Sequence, residues 1–212
     1  MKVNKVIKTL VISDFIINSA FGLSAPVFAI FILGNIQGGN AQVAGFATSF
    51  YWIVKSIFQL PIAKFLDETD GEKDDFFALL FGQLFAGFSI FLYVFATLPW
   101  HVYFIEGFLG LAMSFSVPAW YGIFTRHLDQ DKMSFEWSLE SVFSVGLATA
   151  GASALGGFIA ENFGFNTLFV GASIWAIIGA ISLIFLYPYL KKNKGEGQTF
   201  SADLEKERKT LA

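Results

Sequence analysis

Six apolar stretches, each long enough to cross a lipid bilayer, decide what this chain can fold into. They lie at residues 8–33, 42–66, 75–98, 101–124, 137–161 and 165–190, and a helix needs about 20 mainly apolar residues to span the hydrocarbon core. The expected fold is therefore an all-α membrane protein with six transmembrane helices. Composition agrees, because 55% of residues are hydrophobic and 15% charged, whereas soluble domains run near ~25% charged. The basic start MKVNKVIKTLVISDF reads as part of a retained first span rather than a signal peptide, since its apolar run continues to Leu33. After Leu190 the text changes to KKNKGEGQTFSADLEKERKTLA. The chain thus divides into a six-helix bundle over 1–190 and a charged tail over 191–212, which is expected to be mobile because it has little apolar surface to bury.

The connections alternate. GNIQGGNAQ, LPWH and ENFGFN carry no Lys or Arg, whereas the N-terminus, AKFLDETDGEKDD, TRHLDQDKMSFEW and the tail hold nearly all the bases. By the positive-inside rule this places both termini in the cytoplasm, with the spans in the plasma (inner) membrane. Several chemistries find no support. Without Cys and with two His there is almost no vocabulary for a metal or cofactor site, and none is expected. His101 and His127 lie at opposite ends of the fourth stretch with no accompanying nucleophile, and no Gly-rich phosphate loop is present, so the chain does not read as an enzyme. No basic face for nucleic acid is visible.

Charges inside the spans are the informative exceptions. Stretches 1, 2, 4 and 5 carry Asp14, Lys55, Glu106 and Glu140, while stretches 3 and 6 carry none and Gln83 is their one strongly polar side chain. Each such charge costs about 2.5 to 3.5 kcal/mol on insertion and faces a bundle interior or a wet cavity. Four helices therefore look inward and two look at lipid. Asn18 and Gly22 follow Asp14 at i+4 spacing, and Thr48, Trp52, Lys55 and Gln59 share one face of the second stretch. Asp14 and Lys55 fall at similar depth, so they are placed to pair, either as a static lock between helices or as a substrate- or proton-coupling unit. Glu106 lies at the mirrored depth of stretch 4 and is long enough to extend toward the interface, whereas Glu140, near the start of stretch 5, reads as solvated or paired with a loop base. Trp52, Trp120 and Tyr121 are the aromatic candidates for ligand contact.

An echo links the two halves. A shift of 92 positions carries Asp14 onto Glu106, Ala20 onto Ala112, Ser24 onto Ser116, Pro26 onto Pro118 and Gly87 onto Gly179, which suggests a duplicated three-helix unit with bends at Pro26 and Pro118. Stretches 2 and 5 do not match. In GLATAGASALGG, Ala148, Ala152 and Gly156 form one stripe with Gly157 beside it, which favours close helix packing.

Taken together, residues 5–190 resemble one six-helix half of a major facilitator superfamily transporter. The resemblance is carried by DFIINSAFGLSAP in the first span, by the loop KFLDETDGEKDD with Leu66, Asp67, Gly71 and Lys73 at matching positions, by Gly110 and Pro118 in YFIEGFLGLAMSFSVPAWYGIF, and by the double Gly ending ASALGG. Lys64 stands where the family usually has Gly, Glu72 replaces a base, Glu106 replaces an Arg and Ser153 stands where antiporters often have Pro. The resemblance implies a 3+3 inverted repeat, with helices 1 and 4 around a cavity, 2 and 5 at the moving interface and 3 and 6 outside. It also implies secondary active transport of a small solute. Asp14, Asn18, Lys55, Gln59, Glu106, Trp52 and Trp120 are the substrate or proton-coupling candidates. Members have twelve helices, so six require a second bundle, expected to be a homodimer partner or a separate six-helix half. The alternatives are a truncated half of a twelve-helix transporter and a non-transporting membrane interaction or regulatory module. The expected partners are the lipid bilayer, a small-molecule substrate and that second bundle.

Overall fold

The structure is a computed structural model and describes residues 3–69 and 71–190. The tail expected over 191–212 lies outside the described residues. Five helical runs account for almost everything else: α1 (Lys5–Asn35), α2 (Ala41–Glu68), α3 (Lys73–Phe95), α4 (Pro99–Arg126) and α5 (Met133–Tyr189). Local chemistry sets their starts. The Asn4 and Asn40 side chains accept from the amides of Ile7 and Val43 at 2.9 and 3.0 Å, which satisfies donors that a helix start leaves open. Pro99 occupies the first turn of α4, where a missing N–H costs nothing. Pro26 lies in a 3-10 turn, Ala25–Val27, that interrupts α1.

The run α5 is 57 residues long, far beyond one bilayer crossing. It breaks at Gly164, whose φ of 84° is open to glycine and strained for other residues. ENFGFN, expected as a connecting loop, thus shrinks to a single non-helical residue. Contacts with α1 show that the chain reverses there. On the first arm, residues 133–163, Ser144 meets Val11 and Gly156 meets Leu23, so the numbering rises together. On the second arm, residues 165–189, Trp175 bonds Ser19 and Ser182 bonds Ser13, so it runs opposite.

Among the described residues α1, α3, α4 and α5 are long and apolar enough to cross a membrane. The helix α2 has the same 28 residues as α4, but Thr48, Ser49, Lys55, Ser56 and Gln59 dilute its apolar middle. Packing follows a simple scheme. α1 lies against both arms of α5, α4 lies against α2 and α3, and α3 joins the groups by packing on α5. Glycines permit the closest approaches: a Cβ on Gly156 would lie 1.9 Å from the Leu23 carbonyl oxygen, and one on Gly110 would lie 2.6 Å from that of Tyr51.

Two apolar cores result. One, near one end, gathers Phe31, Ile32, Tyr93, Val102, Ile105 and Phe169, and the other gathers Ile7, Leu10, Phe76, Leu79, Ile123, Phe124 and Leu183. Between them, at the level of Ser13 to Asn18 on α1 and Glu106 to Ser116 on α4, the helices carry polar side chains instead. The second end also collects the N-terminus, the α4–α5 connection and the last turn of α5: Asn4 Nδ2 donates to His127 O at 2.7 Å, and the Lys5 ammonium lies 5.4 Å from the Tyr189 ring centre. At the first end Gln37 N donates to Thr97 O at 2.9 Å and ties the two connections there.

Candidate functional site

A cavity of about 340 Å³ opens in the polar layer, lined by Asp14 and Asn18 of α1, Gln83 of α3, Ser116 and Trp120 of α4, and Glu140 of α5. Its rim residues Tyr121 and Trp137 are exposed. Asp14 of α1 and Glu140 of α5 face the same cavity from neighbouring helices. Ser144 Oγ lies 2.7 Å from Glu140 Oε2 and 2.9 Å from Val11 O. Glu140 begins a stretch of π-helix, Glu140–Leu147, a departure from α geometry that occurs frequently at functional sites.

On the facing wall, α3 and α4 touch where a Cβ on Gly82 would come within 2.8 Å of Ser116 Cβ. This sets Gln83 beside Ser116, and Trp120 follows one turn later on the same face. Gln83 Oε1, Ser116 Oγ and Trp120 Nε1 are all buried and have no hydrogen-bond partner among the described residues. Groups of that kind are costly in a folded protein and call for a ligand, water or ion.

A second hollow of about 250 Å³ is lined by Asn18, Phe21, Tyr51, Glu106, Leu109 and Met113. It shares Asn18, Phe21 and Met113 with the first, so a continuous trough runs along α1 and α4 from Glu140 to Glu106. Glu106 is 8% exposed and accepts from the Tyr93 hydroxyl at 2.7 Å, turned inward rather than toward the interface.

The pairing of Asp14 with Lys55 does not occur. α2 packs on α4 instead of α1, and the Lys55 ammonium rests 4.7 Å from the Trp52 ring centre and 5.8 Å from that of Tyr51, a cation–π arrangement. Lys55, Trp52 and Gln59 therefore stand outside both hollows, while Asp14, Asn18, Glu106 and Trp120 line them. Around the α2–α3 connection Leu66 and Gly71 are buried, and Asp67 and Lys73 are exposed and form no ion pair among the described residues. The ionic work falls to their neighbours. Arg126 Nε lies 2.8 Å from Glu72 Oε1, the same guanidinium bonds the Asp75 carboxylate, and both acids are almost fully buried. Ala148, Ala152 and Gly156 are buried against α1, whereas Gly157 faces open space. Pro26 is exposed in its turn and Pro118 is half-buried within α4.

Sequence reasoning passed over Glu140, Gln83 and Ser116 as site residues. The signal for Glu140 was hidden by the helix start, since α5 begins at Met133 and holds this acid two turns deep rather than at a solvated end. Gln83 had a signal as the lone strongly polar side chain of its span. Ser116 was visible only in the echo with Ser24.

Outside the spans, hydrogen bonds from the Lys132 ammonium and then the Asn4 amide hold Asp129 below the ordinary carboxylate range. Among the described residues no group of His, Cys, Asp and Glu is arranged to hold a metal. No curated protein matches the chain. The family model described as Major Facilitator Superfamily matches residues 10–211, and this all-helical integral membrane protein belongs to that superfamily.

Proposed function

We propose that the chain is a half-size secondary active transporter, one six-span bundle that works as a parallel homodimer and moves a small solute by alternating access. The observation that carries this reading is the trough along α1 and α4, whose walls bring the acids Asp14 and Glu140 to one cavity between the two apolar cores. The rim is exposed, so a lone copy would turn these polar groups toward lipid, at several kcal/mol for the charges. A second bundle related by a two-fold axis along the membrane normal closes the trough and supplies the other half of the substrate site.

A 3+3 inverted repeat is supported by the packing. The shift of 92 positions maps α1 to α4, α2 to the first arm of α5 and α3 to its second arm. The contacts of α1 with both arms then correspond to those of α4 with α2 and α3. The end that gathers Asn4, Arg126, Lys132 and Tyr189 is the cytoplasmic one, because the loop bases lie there.

The test is uptake by the purified protein reconstituted in vesicles under an imposed proton gradient. Asp14→Asn and Glu140→Gln each abolish proton-driven uptake while the protein still purifies folded, and undiminished uptake by both variants refutes the coupling role. Light scattering in detergent checks the assembly, since a strictly monomeric particle with no co-purifying partner rules out the dimer.

A further inference from the structure

The cavity asks for more than a proton. Among the described residues its lining includes two carboxyl groups and no Lys, Arg or His, and Lys55 of α2 lies over the Trp52 and Tyr51 rings, outside this cavity. Two carboxyl groups with no base beside them favour a cation over an anion or a neutral solute. A bare metal cation fails for a different reason. Trp120 Nε1 can only donate a hydrogen bond, so whatever satisfies it must bring an acceptor. Beside it, Ser116 Oγ both accepts and donates, and the unpartnered Gln83 Oε1 accepts.

We infer that the cavity binds a small organic ammonium ion carrying a hydroxyl group. The ammonium lies against the wall of Asp14 and Glu140, and the ligand's hydroxyl accepts from Trp120 Nε1–H and donates to Gln83 Oε1 or Ser116 Oγ. The two requirements come from opposite walls: charge from the α1–α5 side, an oxygen acceptor from the α3–α4 side. The aromatic faces of Phe21, Tyr121 and Trp137 around the opening suit the apolar flanks of an alkylated ammonium, which is attracted to ring faces. A volume of about 340 Å³ lies at the small end of ligand pockets. The inference deepens the transport reading and rests on it in taking this cavity as the substrate site.

Three probes of nearly one shape separate the two requirements: choline, its des-hydroxy analogue ethyltrimethylammonium, and its uncharged carbon isostere 3,3-dimethyl-1-butanol. Equilibrium binding to the purified full-length protein is expected to be saturable for choline and at least about tenfold weaker for each analogue, a step worth ~1.4 kcal/mol. Trp120→Phe keeps the ring and removes the N–H. It is expected to lower choline affinity to that of ethyltrimethylammonium and to leave the affinity for that analogue unchanged, a pattern that general misfolding does not produce. The inference is overturned if choline shows no saturable binding, if it binds no tighter than its uncharged isostere, or if Trp120→Phe weakens both ammonium ligands equally. Vesicle flux separates this result from the wider reading. Choline binding without any flux keeps the cation site and removes transport, whereas flux of an uncharged solute without ammonium binding keeps transport and removes the cation site.

Discussion

Two pairs of buried acids in this molecule live under opposite conditions. Glu72 and Asp75, at the end of the bundle, share the Arg126 guanidinium, with His127 Nδ1 a further 3.7 Å from Glu72. Asp14 and Glu140, in the middle layer, share a cavity with Asn18, and Glu140 also has a serine hydroxyl. In the first arrangement both carboxylates bond the one guanidinium, so the cluster fixes α3 against α4. The second has no base among the described residues that line its cavity. Acids tied to a base are placed to hold helices together, whereas acids within a span and without one face a bundle interior or a wet cavity.

The largest expected effect tests the acids tied to a base. Arg126→Ala removes the guanidinium from beside two almost fully buried carboxylates, and breaking such a group costs about 3 to 5 kcal/mol. Denaturation in detergent should show that loss, and combining Arg126→Ala with Glu72→Gln and Asp75→Asn should recover much of it. Wild-type stability in Arg126→Ala alone would erase the distinction.

Glu106 sharpens the comparison, because the echo makes it the counterpart of Asp14 while the structure gives it a partner of its own. Glu106→Ala leaves the buried Tyr93 hydroxyl without its acceptor, at about 1 to 3 kcal/mol. Glu106→Gln keeps an acceptor oxygen and should restore most of that stability in the same assay. If both variants are equally destabilised, the hydrogen bond is not what holds this acid.

On the side without a base, Asp14→Asn with Glu140→Gln should change stability by no more than about 1 kcal/mol, because replacing buried ionisable groups by neutral isosteres is often neutral. Proton-driven uptake should nevertheless fall at least tenfold. A large loss of stability here would make the pair architectural, like the Arg126 cluster.

These outcomes also show how far the sequence could be read. The helical runs were legible because about 20 apolar residues in a row have one use, and Asp14 was legible because a charge in such a run has few explanations. Lys55 was misjudged for a definite reason. Depth along a helix follows from counting residues, but which neighbour a helix faces depends on packing, and Gly110 brings α2 against α4 rather than α1. Glu140 was misjudged because a helix boundary shifted by four residues changes an acid from solvated to buried. Gln83, Ser116 and Trp120 become a site only through the α3–α4 crossing at Gly82, which no periodicity within one stretch reveals.

Asp129 completes the series as an acid that is paired and only partly buried. Its carboxylate receives hydrogen bonds from Lys132 Nζ at 3.1 Å and Asn4 Nδ2 at 3.3 Å, and these donors hold it below the ordinary carboxylate range. Because the folded form binds its proton less readily than the unfolded form, the group stabilises the fold above the unfolded pKa of roughly 4, and that contribution is lost as pH falls through the depressed folded value. Asp129→Asn should therefore flatten the acid limb of a stability-against-pH curve without changing stability at pH 7 as much as Arg126→Ala does. The difference should be the smallest of the four, and it should shrink further in high salt, because exposed pairs contribute little and are screened. An acid limb unchanged by Asp129→Asn would mean that the contact between Asn4 and the α4–α5 connection is held by the Asn4–His127 carbonyl bond alone.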